Sequence, residues 1–228
     1  ASAPAVEQAG FPAVATSSGA IARMLGSADG EVMTPDEAFA AVAVVARSVS
    51  VPVTADMEGG YGLPPAEFVD RLLGAGAVGC NYEDTDHSGD GRALVPVEVQ
   101  AGRLAAVKEA GRAAGVDLVL NARVDTFVRH VDSPVVEALA RGRHYVEAGA
   151  DCVYPILASG EDDVRTLVTE LGSPVNVMYR PGESTLSTLR SLGVRRVSMG
   201  SGLHRIAMDR AGAALSALAA GDDAAVWS

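Results

Sequence analysis

The chain has 228 residues, enough for one large domain over 1–228, and no charge run or Pro/Ser-rich linker divides it. Eighteen Lys+Arg against 29 Asp+Glu give a formal net charge of -11, which argues against a nucleic-acid or anionic-membrane partner and for a soluble, cytoplasmic protein. The apolar stretches are broken by Gly, Arg or Glu before they reach membrane-spanning length.

In chain order, a helical opening, SAPAVEQAG, comes with no strand in front of it. Short β-branched runs then follow at 11–17, 51–57, 77–83, 116–122, 151–156, 174–179 and 195–199. Helical patterns fall between them, near 35–48, 64–75, 97–114, 134–148, 161–171 and 184–192, with a last one from 203 to about 219. A weak repeat marks the joints: EQAG-FPAVATS, LGAG-AVGCNYE, VEAG-ADCVYPI and RSLG-VRRVSMG each pass from a helix end through glycine into a strand. Gly10, Gly76, Gly149 and Gly193 therefore suit the left-handed position that closes a helix.

Strict strand–helix alternation leaves two architectures, a closed parallel barrel or an open doubly wound sheet. No G-x-G-x-x-G opens the first helix, which weakens a dinucleotide-binding sheet. One further upstream strand would complete eight, so the expectation is a (β/α)8 TIM-type barrel whose first strand the chain lacks, an N-terminally incomplete single domain. The open seven-strand sheet is the alternative. Cys80 and Cys152 lie in separate strands outside any C-x-x-C pair and read as packed thiols.

Chemistry gathers at the strand ends. VPVTADMEGGYG places Asp56 and Glu58 just before a glycine turn, AVGCNYED places Glu83 and Asp84, and VDLVLNARVD places Arg123 between Asn121 and Asp125. Crowded carboxylates stay ionised beside a cation, so Asp56, Glu58 and Glu83 together point to a hard divalent metal. Arg123 adds a partner for a carboxylate or phosphate, and the set describes a site for a small anionic substrate. The plainer readings are surface acids at loop starts and an internal ion pair of Arg123 with Asp125 or Glu83.

The ordered motifs TADMEGGYG, NYED and NARVD resemble the isocitrate lyase and phosphoenolpyruvate mutase superfamily, and the similarity runs from GFPAVATSS to VSMGSGLHR. The resemblance implies an α/β barrel, Mg2+ with Mn2+ as a substitute, and chemistry through the enolate of a 2-oxo acid or a related 2-hydroxy acid. It also implies a homodimer or homotetramer in which a C-terminal helix packs on a neighbouring subunit. Asp56, Glu58 and Glu83 match the metal acids, and Arg123 matches the arginine for the substrate's remote anionic end. Ser17, Ser18 and Gly19 match the small-residue turn that holds the substrate carboxylate and carbonyl oxygen. Asp29 matches a loop acid, Tyr61 belongs to the turn after the metal acids, and Asn121 flanks the arginine.

The departures narrow the chemistry. The K-[KR]-C-G-H loop of isocitrate and methylisocitrate lyases is replaced by TDHSGDGRALVP, residues 85–96, without cysteine or lysine, and the mutase-like P-K-x-x-S loop is missing as well. Retro-aldol cleavage of an isocitrate-like acid needs a proton donor for the departing fragment, whereas decarboxylation of an oxaloacetate-like acid needs chiefly an electron sink. The expected activity is therefore a magnesium-dependent carbon–carbon lyase of the second kind, with phosphonopyruvate chemistry or a non-catalytic 2-oxo-acid-binding barrel as alternatives. His87, with Ser88 and Asp90, is placed to act from a lid; Tyr61 and Ser17 are further candidates for catalysis, or simply turn residues.

Overall fold

The computed structural model describes residues 2–89 and 92–226; Asp90, expected in the lid, lies outside the described residues. The elements in order are α1 (Ser2–Gln8), β1 (Val14–Ala15), α2 (Ser18–Met24), α3 (Pro35–Ala46), β2 (Val53–Asp56), α4 (Pro65–Gly74), β3 (Gly79–Glu83) and α5 (Val97–Ala113). Then come β4 (Val119–Val124), α6 (Pro134–Glu147), β5 (Cys152–Pro155), α7 (Glu161–Glu170), β6 (Asn176–Met178), α8 (Leu186–Ser191), β7 (Arg196–Ser198), α9 (Gly202–Ala220) and α10 (Asp223–Val226).

Strands β1 to β5 pair in sequence order, all parallel, and β6 pairs with β7 in the same sense. A single parallel bridge, Val153 to Val175, joins the two groups. A doubly wound sheet reverses its strand order at a switch point, and no reversal occurs here. The sheet curls instead: Ser17 Oγ, after β1, lies 3.1 Å from Ser201 Oγ, after β7. This is a (β/α) barrel with a gap between β1 and β7, which do not pair among the described residues.

Alternation along the strands sorts the side chains. Ala55, Met57, Cys80, Tyr82, Leu120, Ala122 and Val124 join the core packed under the helices. The intervening positions form a polar row, with Asp56 beside Asn81 and Asn81 beside Asn121, and above it Glu83 beside Arg123. Gly10, Gly76, Gly149 and Gly193 take φ values of +84°, +85°, +100° and +90°, the left-handed helix endings that the repeat implies. Both thiols are buried and reduced, and burial raises them, Cys80 to about 12 and Cys152 to about 11.

Two local readings change. The turn at Ser17–Gly19 is the start of helix α2, with Ser17 as its N-cap accepting from the Ala20 N–H at 3.4 Å. The fourth strand runs to Val124, later than 116–122, because hydrogen-bonded pairing with β3 carries the extended backbone through Arg123.

Candidate active site at the strand ends

A cavity of about 140 Å³ opens at the carboxyl ends of the strands, walled by Ser18, Asp29, Gly30, Glu58, Glu83, His87, Arg123 and Arg129. In a β/α barrel this end carries the chemistry, because loops from every strand converge there. Ser17, Tyr61, Asp56 and Asn121 are outside its walls.

Each expected metal acid has protein partners. Asp56 Oδ2 accepts from the backbone N–H and hydroxyl of Ser18, at 3.1 and 3.0 Å, and Oδ1 accepts from the Asn81 amide at 3.2 Å. Asn121 donates to Asn81 at 2.7 Å, so it braces this row from inside the barrel and is fully buried. Glu58 Oε1 accepts from the N–H groups of Gly30 and Glu31, at 2.6 and 2.9 Å, while its Oε2 accepts from the Tyr61 hydroxyl. Glu83 meets Arg123 Nη1 with one oxygen and His87 Nε2, at 2.6 Å, with the other.

Asp56, Glu58 and Glu83, expected to hold a metal mostly through its waters, thus each keep hydrogen-bonding or ion-pair partners within the protein. Among the described residues no three acidic, histidine or cysteine side chains converge to enclose a metal. Each of these carboxylates is drawn toward its own donors.

The site nevertheless fits a hydrated hard cation. Asp29 and Glu58 face each other closely enough to hydrogen-bond, and Asp29 is raised by partial burial and by the Glu58 charge. Two carboxyls so placed need either a shared proton or a cation between them. Oxygen-rich surroundings suit magnesium, which keeps several of its waters.

Backbone conformation is strained around these acids. Glu31, Glu58 and Tyr61 all have positive φ, at 57°, 50° and 58°. The Tyr61 N–H donates to Glu31 at 2.5 Å, which locks the turn to the loop over the cavity. A Cβ on Gly19 would stand 2.8 Å from Asp29 Oδ2 and displace that carboxyl, and one on Gly60, where φ is +90°, would stand 2.3 Å from the Tyr82 hydroxyl.

Arg123 has the internal ion pairs. Its Nε and Nη2 donate to the two oxygens of Asp125, at 2.7 and 2.9 Å, in addition to the Glu83 contact. Asp125 is fully buried, accepts from the Thr85 hydroxyl at 2.6 Å, and its N–H donates to Asp84 at 2.8 Å. Asp84 also accepts from Tyr145 and Arg141. Burial pushes Glu83 up to about 7, against the pull of Arg123, and Asp84 up to about 6. Burial alone would lower His87, but its hydrogen bond to Glu83 and the Glu83 charge outweigh that and raise it. His87 Nε2 and Glu83 Oε1 thus form a close hydrogen-bonded pair at the cavity wall.

The described residues on either side of 90–91 pair with each other, with the Asp86 N–H donating to the Ala93 carbonyl. Thr85 bridges Leu94, and Asp86 accepts from Ser88. His87 lies at the cavity wall. The sequence reading omitted Gly30, Glu31 and Arg129. Arg129 had one signal, its place six residues past Arg123 in the same strand-end turn; Glu31 had none, since its role depends on a backbone contact 27 residues away.

A curled parallel sheet with acids and arginines at its carboxyl-end mouth defines an enzyme of the β/α-barrel class. The chain belongs to the phosphoenolpyruvate phosphomutase family, whose profile matches residues 1–219, within the isocitrate lyase and phosphoenolpyruvate mutase superfamily. It is 36% identical to a provisionally assigned phosphonomutase from Burkholderia cenocepacia, with a TM-score of 0.89 over 94% of this chain and 89% of that one. It is 31% identical over 192 residues to an uncharacterised protein of Mycobacterium tuberculosis, covering 84% of this chain and 70% of the relative. It is also 26% identical to a 2-methylisocitrate lyase of Bacillus subtilis, covering 74% and 56%. Lyases and mutases thus share this fold and family. No helix among the described residues is long and apolar enough to cross a membrane.

Proposed function

We propose that the protein is a divalent-cation-dependent lyase that breaks a carbon–carbon bond in a small 2-oxo carboxylate, with an oxaloacetate-like acid as substrate. The observation that carries this reading is a mouth cavity lined by Asp29, Glu58, Glu83, Arg123 and Arg129 and, among the described residues, by neither cysteine nor lysine. Asp29, Glu58, Glu83 and, behind them, Asp56 would hold magnesium, or manganese in its place, through its waters. When bound, that ion supplies a Lewis acid for the 2-oxo group.

The chain's own residues supply the rest. Ser18, buried at the start of α2, sets the Asp56 carboxylate and offers its hydroxyl at the wall. Arg123, held on Asp125, contributes a fixed positive charge beside the carbon skeleton as negative charge develops. The His87–Glu83 pair keeps a proton at Nε2 beside the cavity, a source for the enolate carbon once carbon dioxide has left. Tyr61 orients Glu58, and Ser17 caps α2; both act by positioning. The bridge between Thr85 and Leu94 braces the chain beside His87 at the cavity wall.

Pyruvate release from oxaloacetate, measured with and without magnesium, is the test. Turnover that exceeds the spontaneous rate and disappears with chelator supports the reading. Faster cleavage of 2-methylisocitrate or phosphonopyruvate than of any oxaloacetate-like acid would replace it. A homo-oligomer is part of this reading, supported by α9, which exposes Leu203, Ile206, Met208, Leu215 and Leu218 and buries none of its residues.

A further inference from the structure

Two loops at the cavity mouth hold each other in both directions. One, between α2 and α3, carries Asp29, Gly30 and Glu31; the other, after β2, carries Glu58, Gly59, Gly60 and Tyr61. From the first, the successive N–H groups of Gly30 and Glu31 converge on Glu58 Oε1, at 2.6 and 2.9 Å. From the second, the Tyr61 N–H donates back to Glu31 Oε1 at 2.5 Å, and the Tyr61 hydroxyl holds the other oxygen of Glu58. Each loop thus supplies a carboxylate to the backbone of the other.

This arrangement uses backbone that relaxes unless something holds it. Two consecutive amides aimed at one oxyanion form a nest, which needs turn conformations, and Gly30 and Glu31 have φ of +100° and 57°. Glu58 and Tyr61, at 50° and 58°, are left-handed as well, and residues other than glycine keep such conformations only where neighbouring contacts fix them. Asp29 and Glu58 line the cavity, whereas Glu31 is not among its walls. The Glu31 carboxylate lies against the turn instead, so near that a Cβ on Gly59 would stand 3.2 Å from its Oε1. When ionised, Asp29 and Glu58 repel and push their loops apart; a clasp that resists this keeps them at a spacing that a cation can bridge.

We propose that Glu31 is a positioning residue for the cation site: by holding the Tyr61 N–H it fixes the separation of the Asp29 and Glu58 carboxyls, and so sets the affinity for a divalent ion. This rests on the cation-dependent reading of the cavity and adds to it the device that preorganises the acids. Glu31 acts through its reach to Tyr61, not through its charge.

Reach and charge can be separated. Glu31→Gln keeps the length and an oxygen acceptor but loses the charge, whereas Glu31→Asp keeps the charge and is one methylene short. Manganese(II) binding to the intact protein and to both variants, without substrate, would be followed through the electron paramagnetic resonance of the free ion, with circular dichroism to confirm the fold. Glu31→Asp should weaken manganese by roughly tenfold to a hundredfold, the scale of losing a group that orients metal ligands without touching the ion. Glu31→Gln should stay within about threefold of wild type, because the amide oxygen accepts the same bond. Glu31→Ala, which removes both reach and charge, should match Glu31→Asp and replaces it if that variant does not fold. Loss in Glu31→Gln with retention in Glu31→Asp would mean attraction by charge alone and would overturn the proposal. Equal affinity in all the proteins would overturn it too, and leave the cation reading standing. Wild-type protein that binds no manganese would overturn both. If manganese binds in the expected order but no 2-oxo acid turns over, the lyase reading fails while this one stands.

Discussion

The barrel holds a buried cation between two carboxylates at each end, and the two clusters behave differently. At the amino-terminal end of the sheet, Lys108 Nζ contacts Asp117 at 3.2 Å, Asp151 at 2.9 Å and the Leu118 carbonyl at 2.8 Å. Asp151 also accepts from the Leu120 N–H at 2.7 Å, so this cluster ties α5 to the entries of β4 and β5. All three Lys108 donors are used. At the carboxyl end, Arg123 sits between Glu83 and Asp125 at the wall of a cavity, with Glu83 raised by burial and shared with His87. One cluster closes the fold; the other borders a cavity. The general division of such barrels into a stabilising foot and a chemical mouth is thus written in this chain with similar residues.

The strongest way to break that contrast is at the mouth. Asp56→Asn keeps the shape but removes the charge that the Ser18 N–H and hydroxyl address. Turnover should fall by roughly 10²–10⁴-fold, the scale of several kcal/mol of lost charge stabilisation. The unfolding midpoint should move by less than about 4 °C, the size of a ~1 kcal/mol change in a domain of this length. A large drop in the midpoint with turnover preserved would show that the mouth is a second structural clamp.

The reciprocal change is Lys108→Met at the foot. Two carboxylates and a carbonyl lose their donor, and a loss of about 2–3 kcal/mol is expected by chemical denaturation, discounted because Asp117 and Asp151 reach solvent. The kcat/KM should stay within about twofold of wild type. Coupling of this substitution to activity would erase the distinction between the ends.

Asp84 sharpens the contrast through pH, since it is buried behind the mouth and is not among the residues lining that cavity. Its folded carboxyl is raised from 3.8 to about 6 by burial and by Asp125. The stability it contributes is complete below its unfolded value and is lost as pH climbs through about 6, a decline of order 2–3 kcal/mol. Denaturation curves taken from pH 4 to pH 7 should show that decline, and Asp84→Asn should flatten it. The smallest effect is expected from His87→Ala, which should slow turnover at or below the lower end of the roughly 10²-fold loss typical of a missing acid–base group. Unchanged rates at every pH would remove His87 from the proton path.

Much of the fold was legible because its signals are local. Short β-branched runs, helix-period stretches and glycines at 10, 76, 149 and 193 each report on a few neighbouring residues, and these locate all seven strands described. The strand-end motifs likewise placed Glu58, Glu83 and Arg123 at one mouth, because a parallel sheet brings every carboxyl end to the same side. The helix at Ser18–Met24 escaped because a seven-residue helix with glycine in its first turn has little periodicity to detect.

The sequence by itself therefore determined the alternating architecture, the end of the sheet at which acids and arginines gather and the residue types available there. Tertiary structure decided what each of those residues touches. Glu58 clasps the Gly30–Glu31 loop, Asp56 is occupied by Ser18 and Asn81, and Arg123 is held between Asp125 and Glu83. Those partners lie tens of residues apart along the chain and meet only when the sheet curls. A carboxylate's role is set by the donors around it, and a linear motif specifies the carboxylate but not its donors.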